Sequence, residues 1–177
     1  WNVGALFTLS PATRIGVSYR STILYHTSGS STLSSNGTPA ANGTMAALVA
    51  GGAQSNVKAD LKVPDTFVLS VAQRLSDRWE MLGDLSWTGW SSIKTIHIVR
   101  TSGPQNGAPV QDLDADFRNT YRVALGANYA LSDAWKLMFG IAYDQSPVKN
   151  DNTRLVSLPD NNRTWFTTGA QVKVNKT

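Results

Sequence analysis

The chain has 177 residues, no cysteine, and 16 basic against 12 acidic side chains, for a net charge of +4. That length suffices for one domain with a sizeable core, the lack of thiols excludes a disulfide framework, and so mild a charge without a compact Lys/Arg run excludes nucleic acid as a partner. No apolar run approaches the roughly 18 residues of a membrane helix, so any crossing of a bilayer falls to strands.

Residues 1–9 alternate weakly between apolar and polar, and Ser10-Pro11-Ala12-Thr13 reads as a tight turn. Residues 14–25 alternate cleanly, with Ile15, Val17, Tyr19, Ile23 and Tyr25 against Arg14, Gly16, Ser18, Arg20 and Leu24. Successive strand side chains point to opposite faces, so this pattern predicts a strand. Residues 27–56 are rich in Ser, Gly, Asn, Thr and Ala without a strand period, which predicts a long loop. Within it, Met45-Ala46-Ala47-Leu48-Val49-Ala50 suits a short apolar helical turn.

A third strand covers residues 57–75, with Phe67, Leu69 and Val71 on its apolar face and Pro64 marking a bulge or edge. Leu75-Ser76-Asp77-Arg78-Trp79 is a tight turn, and Leu131-Ser132-Asp133-Ala134-Trp135 repeats it. The fourth strand places Trp79, Met81, Leu85 and Trp87 outward, with Glu80, Asp84, Ser86, Thr88 and Trp90 inward, and continues through Ile93, Ile96 and Ile98. A second long loop follows over residues 101–116. The next strand sets Phe117, Tyr121, Val123, Leu125, Ala127, Tyr129 and Leu131 against Arg118, Thr120, Arg122, Ala124, Gly126 and Asn128. Its hairpin partner sets Trp135, Leu137, Phe139, Ile141 and Tyr143 against Lys136, Met138, Gly140, Ala142 and Asp144. A third long loop, residues 145–162, precedes a last strand with Phe166, Val172 and Val174 opposite Arg163, Thr167, Gln171 and Lys173.

The hairpin arms run to about ten residues, longer than an average globular strand and enough for a tilted strand to cross a bilayer. Aromatics near both ends with aliphatics between them match the outer surface of a membrane barrel. A β-sandwich also has one apolar face per strand, but it has no reason to alternate short turns with long loops as this chain does. Outer-membrane barrels have that asymmetry. The predicted fold class is therefore all-β, an antiparallel transmembrane β-barrel of which about seven strands are present.

Charged groups cannot face lipid cheaply, so parity assigns Arg14, Arg20, Glu80, Asp84, Arg118, Arg122, Lys136, Asp144, Arg163 and Lys173 to a lumen. The bland expectation is that they pair with one another and with a plug. The functional expectation is that one or two meet the head group of an anionic ligand. Arg20, Arg118, Arg122 and Arg163 are the candidates, because guanidinium can fork onto a carboxylate. Gly126, Gly140, Ala124 and Ala142 leave room beside them.

Other constellations are weak. His26 and His97 have no metal-ligand spacing and read as exposed loop histidines. Asp112-x-Asp114-x-Asp116 imitates the start of a calcium loop, but Phe117 replaces the required glycine and Val123 the closing glutamate, so it reads as a solvated acidic loop. The sequons at Asn36 and Asn42 are common-residue patterns. No nucleophile elbow, P-loop or dinucleotide fingerprint is present. No enzyme, catalytic residue, cofactor or metal is expected.

Tyr121-Arg122-Val-Ala-Leu-Gly126, the turn before Trp135, and Gly140-Ile-Ala-Tyr-Asp-Gln-Ser-Pro147-Val148 resemble the outer-membrane long-chain fatty-acid transporter (FadL) family. So do Ser157-Leu-Pro159-Asp160-Asn-Asn-Arg163-Thr-Trp165, the opening Trp1-Asn2-Val-Gly4, and Val17-Ser-Tyr19-Arg20-Ser21. The resemblance spans nearly the whole chain and keeps its turn order. It implies a monomeric barrel of roughly fourteen strands in a Gram-negative outer membrane. Residues 1–177 would then be part of one barrel domain whose N-terminal hatch and final strands lie outside this sequence. The implied partners are a hydrophobic small molecule, outer-membrane lipid and lipopolysaccharide, and the protein's own hatch.

The resemblance further implies that residues 27–56 form one wall of an external hydrophobic groove, with Met45, Leu48 and Val49 as contacts. A lysine that lines the fatty-acid pocket of the best-known member falls at Leu113 here, and some relatives instead import aromatic hydrocarbons, which require no cation. The expected function is passive uptake of hydrophobic molecules, with long-chain fatty acids first and monoaromatic hydrocarbons second. A surface adhesion or structural barrel is the alternative of a different class, and a soluble β-sandwich binding module is a weaker third. An open half-barrel exposes unpaired edges and a greasy band, so the segment alone is expected to aggregate.

Overall fold

The computed structural model describes residues 1–32, 54–103, 105–150, 154 and 159–174. Its strands are β1 (Asn2–Ser10), β2 (Thr13–Arg20), β3 (Ile23–Thr32), β4 (Gln54–Val63), β5 (Thr66–Arg74), β6 (Trp79–Thr88), β7 (Thr95–Arg100), β8 (Pro109–Asp114), β9 (Thr120–Ala130), β10 (Trp135–Asp144) and β11 (Arg163–Val172), with a 3-10 turn at Trp90–Ser92. They divide into two units. One holds Trp1–Thr22, Pro64–Ser92 and Phe117–Thr177; the other holds Ile23–Val63 and Ile93–Asp116.

The first unit is a seven-stranded sheet in the order β1-β2-β5-β6-β9-β10-β11. Every adjacent pair is antiparallel, in line with the all-β antiparallel expectation; this sheet has seven strands, and the described residues hold eleven in all where about seven were expected. The repeated turns build their hairpins the same way. Ser76 Oγ accepts from the amides of Arg78 and Trp79, and Ser132 Oγ accepts from those of Ala134 and Trp135. The Leu75 amide then donates to the Trp79 carbonyl, and the Leu131 amide to that of Trp135. A serine hydroxyl that satisfies two turn amides removes the need for water or glycine there.

Ladder register places Leu85 beside Val123 and Val123 beside Tyr143, and it sets Leu125 against Ile141 and Ala127 against Phe139. These side chains share one face, and it is not dry: Leu125 is 56% and Phe139 48% exposed. No large side chain among the described residues is fully buried. A water-soluble sheet with such a contiguous apolar face would associate or precipitate. Lipid is the solvent that this face fits.

Aromatics bound it at both ends. Trp79 stacks at a tilt on its ladder partner Tyr129, ring centroids 4.7 Å apart, with Trp135 following at the same end. At the other end Trp87 lies opposite Tyr121. Trp87 follows Trp79 by eight residues, about 27 Å of strand, or about 21 Å along the barrel axis at a usual tilt, which covers most of the ≈ 25 Å apolar band of an outer-membrane barrel.

The second unit is a four-stranded antiparallel sheet in the order β3-β4-β7-β8. Here the structure corrects two expectations. His26 and His97 sit within strands rather than loops, each beside its register partner: Nδ1 of His26 is 2.8 Å from Asp60 Oδ1, and Nδ1 of His97 is 2.8 Å from Asp112 Oδ1. Asp112 and Asp114 belong to β8 rather than to a solvated loop, and Asp114 accepts a hydrogen bond from Thr95. Residues 27–32 are also strand, because the β4 ladder from Thr27↔Ala59 to Thr32↔Gln54 outweighs a composition with little strand preference. The sites expected at Met45, Leu48 and Val49 lie outside the described residues.

Candidate functional site

The inner face of the seven-stranded sheet carries two hollows. The first, about 450 Å³, is lined by the apolar Trp90, Phe117, Pro147 and Pro159 and by the charged Arg122, Asp144, Asp160 and Arg163. The second, about 470 Å³, runs along Leu82, Ala124, Gly126, Gly140, Ala142, Trp165 and Thr167. Arg122 and Asp144 line both.

Small residues make the second hollow. Gly126 stands opposite Gly140, and Ala124 opposite Ala142, in the β9–β10 ladder. A Cβ on Gly140 would come 2.6 Å from the Thr167 hydroxyl oxygen. Anything larger than glycine therefore forces that threonine to turn, and a long side chain fills the hollow.

The apolar lining of the first hollow departs from simple alternation. Parity put Phe117 on the lipid side. Instead it is 8% exposed and packs edge-on against Trp90, ring centroids 6.0 Å apart at 88°. Asp116 explains the reversal. Its φ of 39° is left-handed, a conformation that a short polar side chain tolerates, and it takes the chain out of strand phase before β9 begins at Thr120. Trp90 does face inward as parity predicted, but from the 3-10 turn after β6.

The four candidate arginines separate. Arg122 and Arg163 meet at the first hollow. Arg163 is held from two sides: Nη2 lies 3.2 Å from Asp144 Oδ2, and Nη1 lies 3.4 Å from Asp160 Oδ1. The Arg122 side chain makes no hydrogen bond or ion pair among the described residues, although Asp144 stands opposite it in the ladder. Arg118 is turned to structure, its Nε donating to the Ser146 carbonyl at 3.1 Å and its amide to that of Pro147 at 3.0 Å. Arg20 ends β2 opposite Asn2 and Thr66, exposed and away from both hollows.

Ser146 ties together the chain on either side of two lining residues, Pro147 and Asp160. Only 3% exposed, it donates its hydroxyl to Asp160 and accepts from the Val148 amide, and its own amide donates to Asn162 Oδ1. The expected pairing of inner-face charges also occurs lower down, where Arg14 meets Glu80 at 3.4 Å and Asn128 donates to the same carboxylate. Sequence reasoning did not single out Trp165 or Phe117. Trp165 shares the parity of Arg163 and Thr167, which was a usable signal. Phe117 offered none, because its position depends on the backbone at Asp116.

Residues 1–177 match the model of the family described as outer membrane protein transport protein (OMPP1/FadL/TodX). The chain belongs to this family. It is 30% identical over 176 residues to the long-chain fatty acid transport protein of Escherichia coli (strain K12), covering 99% of this chain and 38% of that protein. It is likewise 30% identical over 175 residues to outer membrane protein P1 of Haemophilus influenzae, covering 98% of this chain and 34% of that one. The chain thus spans between a third and two fifths of the length of these relatives.

Among solved structures, a Pseudomonas aeruginosa FadL homologue superposes with a TM-score of 0.86 at 24% identity, over 99% of this chain and 40% of that one. The Pseudomonas putida toluene transporter TodX superposes with a TM-score of 0.61 at 17% identity, over 99% of this chain and 39% of that one. These likenesses establish the fold as part of an OMPP1/FadL/TodX outer-membrane β-barrel. For this family, the exposed apolar face of β6, β9 and β10 is the lipid-contacting wall, and the face with the two hollows is the lumen.

Proposed function

We propose that this chain is the central wall of an outer-membrane barrel that takes up hydrophobic small molecules passively, with long-chain fatty acids as the leading substrate. The observation that carries the reading is the first hollow, where Trp90, Phe117, Pro147 and Pro159 offer apolar surface within one cavity that also contains Arg122. An amphipathic molecule fits that combination. Apolar burial supplies affinity, roughly 25 cal/mol per Å² removed from water, and the cation orients the head. No bond is made or broken in this scheme, and nothing in it calls for a cofactor. The outward band meets lipid and lipopolysaccharide, and a hatch from elsewhere in the protein closes the lumen.

Monoaromatic hydrocarbon uptake is the second reading, favoured by the edge-on Trp90–Phe117 pair, which presents ring faces and edges to a flat guest. The full-length protein, expressed in a Gram-negative strain lacking its own hydrophobic transporter, tests both. Oleate and toluene accumulation should rise above the empty-vector level for at least one of the two. A correctly inserted, heat-modifiable barrel that raises neither refutes the proposal.

A further inference from the structure

We propose that Asn119 is a positioning residue that sets the angle of the Trp90–Phe117 pair, and that this angle gives ring-bearing guests of the first hollow an affinity that chain-like guests of equal size do not receive. The inference rests on the uptake reading above and adds how the site tells one neutral hydrocarbon from another.

The two rings come from separate stretches of chain. The stretch from Phe117 to Tyr121 is anchored to the segment after β10. There the Arg118 amide donates to the Pro147 carbonyl at 3.0 Å, Arg118 Nε to that of Ser146 at 3.1 Å, and the Gln145 amide to that of Tyr121 at 3.1 Å. Trp90 instead opens a three-residue 3-10 turn. The Gly89 amide donates to the Asp65 carbonyl at 3.0 Å, and the Gly89 carbonyl accepts from the Ser92 amide at 3.2 Å, so the turn hangs from Asp65 through one buried residue. A Cβ on Gly89 would run into the Asp65 carboxylate. That carboxylate is itself fixed, its Oδ2 accepting from the Tyr19 hydroxyl at 3.1 Å.

Asn119 joins the two stretches. Its Oδ1 accepts from the Ser91 amide at 2.9 Å, just beyond the last β6–β9 ladder pair, Thr88↔Thr120. The leading amides of a helical turn find no acceptor within it, so an outside carbonyl oxygen holds so short a turn in place. This bond therefore fixes Trp90 relative to Phe117, their ring centroids 6.0 Å apart at 88°. A corner made of one ring face and one ring edge suits a third ring, because aromatic contacts depend on angle and add attraction beyond the area they bury. A saturated chain gains only the area, and area survives a change of angle.

The test follows initial uptake of ethylbenzene and octane, both neutral and of equal carbon number, with oleate alongside. The full-length protein is expressed in Gram-negative cells lacking their own hydrophobic transporter, and heat-modifiable migration confirms insertion. Asn119→Ala should cut ethylbenzene uptake above the vector level by about three- to ten-fold, the scale of a lost aromatic contact, and octane uptake by less than about two-fold. Asn119→Asp keeps the acceptor oxygen and should restore the wild-type ratio of the two. Gly89→Ala displaces the turn from its other end and should also lower ethylbenzene selectively. Equal losses of both hydrocarbons, no loss of either, or an Asn119→Asp variant that behaves like Asn119→Ala would overturn the assignment and leave the uptake reading standing. Wild-type uptake of oleate without ethylbenzene would do the same. A correctly inserted wild-type protein that takes up none of the three sinks both.

Discussion

Gly140 lies opposite Thr167 across the β10–β11 ladder, so close that a methyl group on the glycine would stand 2.6 Å from the threonine hydroxyl oxygen. Both residues line the second hollow. Gly140→Ala should be tolerated at a cost of about 1 kcal/mol, since the threonine can turn, while Gly140→Leu should block the hollow and cut substrate uptake by about ten-fold or more. Thr167→Ala should restore most of the stability lost in Gly140→Ala. A double-mutant cycle on unfolding midpoints reads that coupling, and simple additivity would count against the steric account.

Ser146 links the two sides of the loop that walls the first hollow, through Asp160 on one hand and the Val148 amide on the other. Ser146→Ala leaves a buried amide and a carboxylate without their shared hydroxyl, for a loss of about 1–3 kcal/mol. Hydrogen exchange at the Val148 amide should speed up well before the β9–β10 ladder is affected. Unchanged protection there would show that the serine is not the hub.

The two faces of the sheet should respond oppositely to charge. Leu125→Arg places a cation in the middle of the lipid-facing band and should cost about 2–4 kcal/mol of folding free energy in a bilayer. Ser86→Lys, on the lumen face of β6, should cost under about 1 kcal/mol. Refolding into lipid vesicles with denaturant titration separates the two. Equal costs would mean that the faces are assigned wrongly.

Asp144 serves Arg163 and stands beside Arg122 in the ladder. Asp144→Asn should tighten dodecanoate binding by about three-fold or more, because the carboxylate that opposes the incoming anion is gone. Arg163 keeps its contact with Asp160 in that variant, so the loop should hold. Weaker dodecanoate binding would show that Asp144 supports the anion site rather than opposing it.

Much of this architecture was legible without coordinates, and the reason is local. In an extended chain the covalent backbone alone sends neighbouring side chains to opposite faces, so Arg122 against Val123 and Asp144 against Tyr143 are decided residue by residue. The serine turns at Ser76 and Ser132 are equally local, because each hydroxyl reaches only two or three residues along its own chain.

What lay beyond reach of the sequence depends on which strands come to lie side by side. Residues 27–32 have a loop composition and become strand because β4 offers a ladder. Phe117 joins the hollow because the backbone at Asp116 breaks phase. Arg122 and Arg163 are chemically identical side chains, and parity put both in the lumen. Only the arrangement of β9, β10 and β11 gives Arg163 an ion pair with Asp144 while Arg122, opposite the same residue in the ladder, makes none, because electrostatic pairing is a matter of a few ångströms set by how the strands lie.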